Sequence, residues 1–145
     1  GYIFFGYRYK GYYKKIGTIK NVYLIPVETD QYKLINKSQL VATVTGTAGW
    51  EALLRQKPVF YFGFPWYRNC PGATRIFDEV SCREAFAKID SGCVVQAQKI
   101  INYLYKFGKH SLRGYLDYYG RSISSLTSEQ NRDNIFNSII KELKN

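Results

Sequence analysis

A strand, a glycine-rich turn, a helix and a second strand follow one another in the first half of the chain, and this order restricts the fold more than any other feature. Residues 40–44 are apolar and partly β-branched, as in a strand covered on both faces. Gly46 and Gly49 allow the backbone to turn tightly and to approach a ligand closely. A helix from about residue 48 to about 55 follows, and residues 59–62 form the second predicted strand. The connection of roughly 14 residues is long enough for a parallel crossover, so the segment predicts a βαβ unit.

The start of this predicted helix is a candidate anion site. The first N–H groups of a helix have no partner within the helix, and the helix dipole places partial positive charge at the same end. Glycines in the preceding turn let those donors come close to a bound oxyanion. The pattern therefore predicts a phosphate-binding turn, with packing of the strand against the helix as the alternative reason for the glycines.

Further elements are predicted on both sides of the βαβ unit. Residues 22–25 have the composition of an apolar strand, and Thr29 or Asp30 can cap a short helix that includes Leu34 and Ile35. The order strand, helix, strand, helix, strand indicates an α/β fold with a parallel sheet and helices on both faces. The second half is predicted to be mainly helical. A helix opens with the capping-box pattern Ser81–Glu84 and runs to about residue 89, and another covers residues 94–107. A connection at 114–125 leads to a final amphipathic helix that begins at Thr127.

Composition limits the classes of function. The chain has 145 residues, of which 46% are hydrophobic, and this suits one domain with a sizeable core. Its single histidine and the spacing of its three cysteines favour neither a metal site nor a disulfide framework, so we expect no metal and reduced thiols at Cys70, Cys82 and Cys93. Lys and Arg total 21 against 11 acidic residues, and the formal net charge of +10 favours anionic partners: a nucleotide, nucleic acid or an anionic membrane surface.

The ends of the chain carry little targeting information. No apolar run reaches the ~18 residues of a membrane-spanning helix, and the first ten residues lack the features of a signal peptide. The chain contains no Met, so we expect it to be part of a longer protein.

The βαβ segment and its surroundings resemble the bacterial capsule polysaccharide biosynthesis proteins, a group that includes glycosyltransferases similar to the Kdo transferases. The resemblance covers roughly residues 8 to 90. It is carried by Thr45-Gly-Thr-Ala-Gly-Trp-Glu-Ala-Leu-Leu, by Lys57-Pro58-Val59, by Gly63 with Trp66-Tyr67, and by residues 21–26, 34–35 and 78–82.

The resemblance implies a glycosyltransferase of the GT-B superfamily, in which two Rossmann-like domains face one another. Residues 1–145 would be most of the C-terminal, nucleotide-sugar-binding domain: a three-layer parallel sheet with helices on both faces and a helical portion from about 93 to 145. An N-terminal domain of the same protein would supply the acceptor site and the general base. The catalytic residues are therefore unknown, and we expect the isolated chain to be inactive.

The same resemblance implies roles for individual residues. The donor phosphate would be held by backbone and hydroxyl groups of Thr45, Gly46, Thr47, Ala48 and Gly49. Glu51 would bind the ribose hydroxyls; its alternative role is to complement the helix dipole. Trp50 would pack or cover the site. The two threonines are equally well explained as β-branched residues at the end of a strand.

The loop at residues 63–69 follows the second strand, where open α/β sheets place their binding crevice. Arg68 suits a phosphate or a sugar carboxylate, and a solvated arginine is the equal alternative. Trp66 and Tyr67 would contact donor or acceptor, or pack beneath their own loop. One departure from the family pattern is Gln56, which replaces the usual glycine before Lys57-Pro58 and should affect the end of the helix more than the chemistry.

Together these observations predict a donor-binding domain of a glycosyltransferase in capsular or surface polysaccharide synthesis. CMP-Kdo is the first candidate donor and a UDP-sugar the second, with a glycan or glycolipid acceptor and no tightly bound cofactor. We expect a cytoplasmic location, with peripheral attachment to the anionic inner-membrane surface left open, and no specific nucleic-acid partner. The alternatives are a non-catalytic scaffold that binds polyanions or membranes and half of a sugar-nucleotide epimerase.

Overall fold

The computed structural model describes residues 9–92 and 94–144. In chain order its elements are α1 (Tyr12–Gly17), α2 (Gln31–Lys37), β1 (Val41–Thr43), α3 (Thr47–Leu54), β2 (Val59–Tyr61), β3 (Ala73–Arg75), α4 (Glu79–Asp90), α5 (Ala97–Lys109), α6 (Tyr118–Ile123) and α7 (Ser128–Leu143). The predicted unit of strand, turn, helix and strand is therefore present as β1–α3–β2. Cys70 and Cys82 are free thiols, and Cys93 lies outside the described residues.

The three strands form one parallel sheet in the order β1–β2–β3. All three residues of the central strand β2 are buried. The edge strand β1 is only partly buried, which corrects the expectation of a strand covered on both faces. Its position at the edge of a narrow sheet leaves Ala42 exposed.

The predicted strand at residues 22–25 is wrong. These residues pair with no strand in the described part of the chain, and Tyr23 remains 81% exposed. Apolar and β-branched composition favours a strand only where a partner supplies the ladder and a surface to pack against. The third strand is instead β3, which follows Gly72, a glycine in the left-handed region at φ +97°.

Core clusters lie on both faces of the sheet. Val59 belongs to a cluster with Leu53 of α3 and Ile100 of α5, whereas the next residue, Phe60, packs with Ala85 of α4. Successive strand residues point to opposite faces, so α3 and α5 cover one face and α4 covers the other. The mixed α/β character, the parallel sheet and the helix-rich second half are confirmed. The fuller Rossmann-like half of a GT-B enzyme stays a prediction.

The connection from β2 to β3 crosses the sheet without a helix. Tyr67 and Cys70 of this loop are at most 2% exposed and belong to the same core cluster as α3. The loop thus occupies the space that a crossover helix would fill, and burial of the thiol raises the pKa of Cys70 to about 11. The large side chain of Tyr67 covers this part of the sheet, where an amphipathic helix would otherwise pack.

Helix starts follow their capping residues. Asp30 caps α2 by accepting hydrogen bonds from the N–H groups of Tyr32 and Lys33. The last helix begins at Thr127 as predicted, and Thr127 forms a capping box with Gln130. The predicted start of α4 at Ser81 is too late, since the cap is Asp78 and Ser81 is the third residue of the helix. These two residues form the capping box: the side chain of each one bonds to the backbone N–H group of the other. The helix predicted at 94–107 is displaced to Ala97–Lys109, and α6 lies within the predicted connection at 114–125. None of the helices in the described residues is long and apolar enough to cross a membrane.

Helix α3 ends in a left-handed residue that is not glycine. Gln56 has φ +59°, its N–H donates to the carbonyl of Leu53 at 2.8 Å, and the N–H of Lys57 donates to the carbonyl of Ala52 at 2.9 Å. These two bonds form a Schellman motif, in which glycine is the favoured residue at the left-handed position. Gln56 thus occupies the position that glycine usually takes and ends the helix in the same motif; whether the replacement changes the end of the helix stays a prediction.

We predict that Gln56→Gly stabilises the protein by about 1 kcal/mol, because glycine adopts this conformation without the penalty of a Cβ atom. Gln98→Gly is the matched control: Gln98 is the second residue of α5, at a helical position, where glycine should bring no gain in stability. Urea denaturation would measure both. A loss of stability in Gln56→Gly would contradict the assignment.

Candidate functional site

The turn between β1 and α3 is held from two sides. Gly46 is the residue that precedes the helix; its N–H donates to Oγ1 of Thr43 at 3.1 Å, and its carbonyl accepts from the hydroxyl of Tyr67 at 2.6 Å. One anchor comes from the strand and the other from the loop after β2. The backbone of the turn is therefore fixed before any ligand binds.

The first donors of α3 are left free by this arrangement. Gly46 has no side chain to cap the helix, and no other side chain does so. Gly49 donates weakly to the carbonyl of Gly46 at 3.3 Å, whereas the N–H groups of Thr47 and Ala48 have no hydrogen-bond acceptor among residues 9–92 and 94–144. Two unpaired N–H groups at a helix start form a site suited to an anion.

The two glycines have different reasons to be glycine. Gly49 is buried, and a Cβ atom there would overlap the hydroxyl of Tyr67 and lie 3.0 Å from Cγ2 of Thr43. Packing therefore explains Gly49. Gly46 is exposed and has an ordinary extended conformation, φ −71° and ψ 158°. A Cβ atom there would lie 3.0 Å from Oγ1 of Thr43, the atom that accepts from the Gly46 N–H group, so a side chain at Gly46 would crowd this anchor of the turn.

Tyr67 supports the turn from within the protein. It is 0% exposed, and burial raises the pKa of its hydroxyl, which therefore stays protonated and donates to Gly46. This position favours a supporting role over direct contact with a ligand. Thr45, by contrast, is exposed at the turn, and its methyl group lies where a Cβ atom on Gly63 would collide with it.

Glu51 carries an unsatisfied acceptor. Its Oε2 atom is buried and has no hydrogen-bond partner in the described residues. The nearby Arg55 donates to the backbone carbonyl of Glu51 at 2.9 Å and lies over the ring of Tyr32, 4.4 Å from its centre, and no ion pair joins it to the carboxylate. A buried acceptor without a partner is costly and uncommon, and a ligand hydroxyl would satisfy it.

The carboxyl edge of the sheet brings a further residue to the site. Thr43, Tyr61 and Arg75 are in register across the three strands, at the ends from which the turn and the loops leave. Arg75 lies over the ring of Phe64, 4.9 Å from its centre. Sequence analysis missed both Thr43 and Arg75 as site residues. No local pattern marks these two residues, because β3 consists only of Ala73, Thr74 and Arg75 and its place in the sheet comes from its register with β2.

The loop residues Trp66 and Arg68 face away from the turn. The ring of Trp66 lies 4.6 Å from that of Trp50 and 5.3 Å from that of Phe107, measured between ring centres. Arg68 lines a groove beside the same part of α5. Of the three loop residues predicted to bind the donor, only Tyr67 reaches the turn.

The family model of the capsule polysaccharide biosynthesis proteins matches residues 3–90. The chain belongs to this family. Searches of curated proteins and of solved structures find no match. The matched region contains the sheet, the turn at the start of α3 and the whole of α4, so the candidate site lies within the part that the capsule polysaccharide biosynthesis proteins share. Membership confirms the expected family; the likeness to Kdo transferases and the GT-B architecture stay predictions.

We predict that Gly49→Ala destabilises this capsule biosynthesis protein by about 1–3 kcal/mol, because the added methyl group overpacks the contact with Tyr67. Gly108→Ala in α5 provides the control, since a Cβ atom there meets nothing within 4 Å and alanine favours a helix. Thermal or urea unfolding of the two variants would test the difference. Equal stabilities would show that Gly49 is not fixed by Tyr67.

Proposed function

We propose that the chain is the nucleotide-sugar-binding part of a glycosyltransferase in capsular or surface polysaccharide synthesis. The observation that carries the proposal is the uncapped start of α3, with the free N–H groups of Thr47 and Ala48 behind an exposed glycine. Membership of the capsule polysaccharide biosynthesis family supports the biological role. The donor phosphate is assigned to this turn.

Several features of the turn suit a phosphate group. The two N–H groups and the positive end of the helix dipole favour negative charge at one point. Arg75, at the same edge of the sheet, adds a cation that is paired with no carboxylate in the described part of the chain. Because Thr43 and Tyr67 hold the turn in place, the donors need no rearrangement when charge develops on the leaving phosphate.

Glu51 is assigned to the ribose of the donor. It lies on α3 four residues after Thr47, on the same side of the helix. A carboxylate accepts hydrogen bonds from two neighbouring hydroxyl groups, and its Oε2 atom has no partner within the described residues. Contact with a ribose would satisfy this atom.

The proposed reaction needs a donor, an acceptor and a general base. CMP-Kdo is the preferred donor and a UDP-sugar the alternative, and the acceptor is a glycan or glycolipid. The general base and the acceptor site are assigned to another domain of the protein. This chain would then bind and orient the donor and stabilise the leaving group.

Thr47→Pro tests the phosphate assignment without disturbing the helix. Proline is favoured at the first helical position, and the extended conformation of Gly46 before it is compatible with proline. The substitution removes one free N–H group, so we expect nucleotide affinity to fall about tenfold, the value of one hydrogen bond to a charged group. Titration of CMP, CDP, UDP and GDP at physiological salt, followed by amide chemical shifts, would measure it.

Two controls separate the N–H group from other effects. Thr47→Ala keeps the N–H group and removes the hydroxyl, and Ser128→Pro makes the same change at the start of α7, far along the chain. Nucleotide affinity should survive Ser128→Pro. If Thr47→Pro binds nucleotides as well as the unaltered chain, or if no nucleotide shifts residues 46–51, the phosphate assignment is wrong.

Glu51→Gln tests the ribose assignment separately. We expect it to weaken nucleotide binding by about tenfold while binding of inorganic pyrophosphate is kept, because only the nucleotide has a ribose. Glu79→Gln, at an exposed position paired with Arg83, is the matched control. Equal weakening of nucleotide and pyrophosphate would assign Glu51 to the turn instead. A purely polyanion-binding scaffold would lose all these ligands steeply as salt rises.

A further inference from the structure

A second groove lies on the side of the loop opposite the turn. Its volume is about 390 Å³, within the range of small-ligand clefts, and its lining residues are Trp66, Arg68, Asn69, Tyr103, Lys106, Phe107 and His110. One wall is the loop after β2 and the other is the last turns of α5. Tyr67, between Trp66 and Arg68 in the sequence, points instead to Gly46, so the groove is separate from the turn.

The walls of the groove are fixed to each other. The hydroxyl of Tyr103 donates to the carbonyl of Trp66 at 3.2 Å, and the rings of Trp66 and Phe107 lie with their centres 5.3 Å apart. Burial is the main cause that raises the pKa of Tyr103, so this hydroxyl keeps its proton and remains a donor. The groove is thus preorganised rather than formed by a loose surface loop.

The groove combines apolar rings with unpaired positive charge. Trp66 is 44% exposed and Phe107 is 42% exposed. Arg68 and Lys106 make no ion pair with any described residue, and no carboxylate lines the groove. The charge of the site is therefore uncompensated by the protein itself.

The end of α5 does not cancel this charge. The negative end of the helix dipole lies here, but the carbonyl of Phe107 already accepts from the N–H of His110 at 3.1 Å and from the hydroxyl of Ser111 at 2.7 Å. Lysines 106 and 109 also occupy the last turn of the helix. Lys109 lies over the ring of Tyr105, outside the groove, so Lys106 is the helix cation that faces it.

We propose that this groove binds an anionic saccharide, one that carries a carboxylate or phosphate group. The apolar faces of sugar rings pack against aromatic side chains, and the guanidinium and ammonium groups complement the anion. A neutral sugar would leave both cations unsatisfied. The two cations and one histidine of the lining suit a ligand that carries one or a few anionic groups. The assignment does not depend on nucleotide binding at the turn.

The groove is built partly from residues that the family model matches and partly from residues beyond the match. Trp66, Arg68 and Asn69 lie in the region that the family model matches, whereas α5 begins after the match ends at residue 90. Three of the seven lining residues thus lie within the matched region and four lie beyond it.

Titration of the 145-residue chain with defined saccharides tests the proposal. Trigalacturonic acid is compared with its neutral methyl ester, and glucose 6-phosphate with inorganic phosphate, each followed by amide shifts and calorimetry. We expect at least one anionic sugar to shift the groove residues, with affinity at least tenfold above that of its comparison compound. The responding pair identifies carboxylate or phosphate as the anionic group. Equal binding within both pairs, or no shift of the groove residues from either anionic sugar, would overturn it.

Variants locate the interaction. The surface substitutions Arg68→Gln and Lys106→Gln together should weaken binding by about tenfold or more. Lys109→Gln removes the same charge from the same helix outside the groove and should change affinity less than twofold. Thr47→Pro should leave the saccharide affinity unchanged, which distinguishes this groove from the nucleotide site. If Lys109→Gln and Lys106→Gln weaken saccharide binding equally, the effect comes from net charge alone, and the assignment of the saccharide to this groove is refuted.

Discussion

The hydroxyl of Tyr67 and the carbonyl of Gly46 form the contact on which the rest of the site depends. A hydrogen bond of 2.6 Å joins a loop that has no helix to a turn that has no side-chain cap. Without it, the carbonyl of Gly46 would keep only the weak bond from Gly49, and the large ring that fills the space above the sheet would lose its polar anchor. Gly49 is required because the ring occupies the volume of a side chain there. One aromatic residue thus fixes the turn, closes the core and replaces a crossover helix.

The same contact divides the loop into two surfaces. Because Tyr67 points inward to the turn, its neighbours Trp66 and Arg68 are directed toward α5. The turn presents backbone N–H groups, whereas the groove presents cationic and aromatic side chains. The turn and the groove, which both favour anions, therefore lie on opposite sides of the buried residue Tyr67.

The central βαβ unit could be predicted because its signals are local. The strand composition, the turn glycines and the helix between them act within about 20 residues, and the structure has β1, α3 and β2 where the pattern indicates. The start of the final helix at Thr127 was also predicted from local sequence. Gln56 could be recognised as a departure at the helix end, but its left-handed backbone required the structure.

The errors arise where tertiary contacts decide the outcome. Residues 22–25 have the composition of a strand, but no neighbouring strand pairs with them in the described chain. β3 is only three residues long, and its strand character comes from its register with β2. The role of Gly49 depends on Tyr67, which is 18 residues away in the sequence and in contact only after folding. No local pattern contains that information.

The two anion-favouring features differ in how sequence change can alter them. The turn uses backbone donors, so most substitutions on its surface leave its chemistry in place as long as Thr43 and Tyr67 hold the geometry. The groove uses Arg68 and Lys106, so single substitutions alter its charge directly. Screening by salt also acts more strongly on exposed side-chain charges than on N–H groups fixed at a helix start.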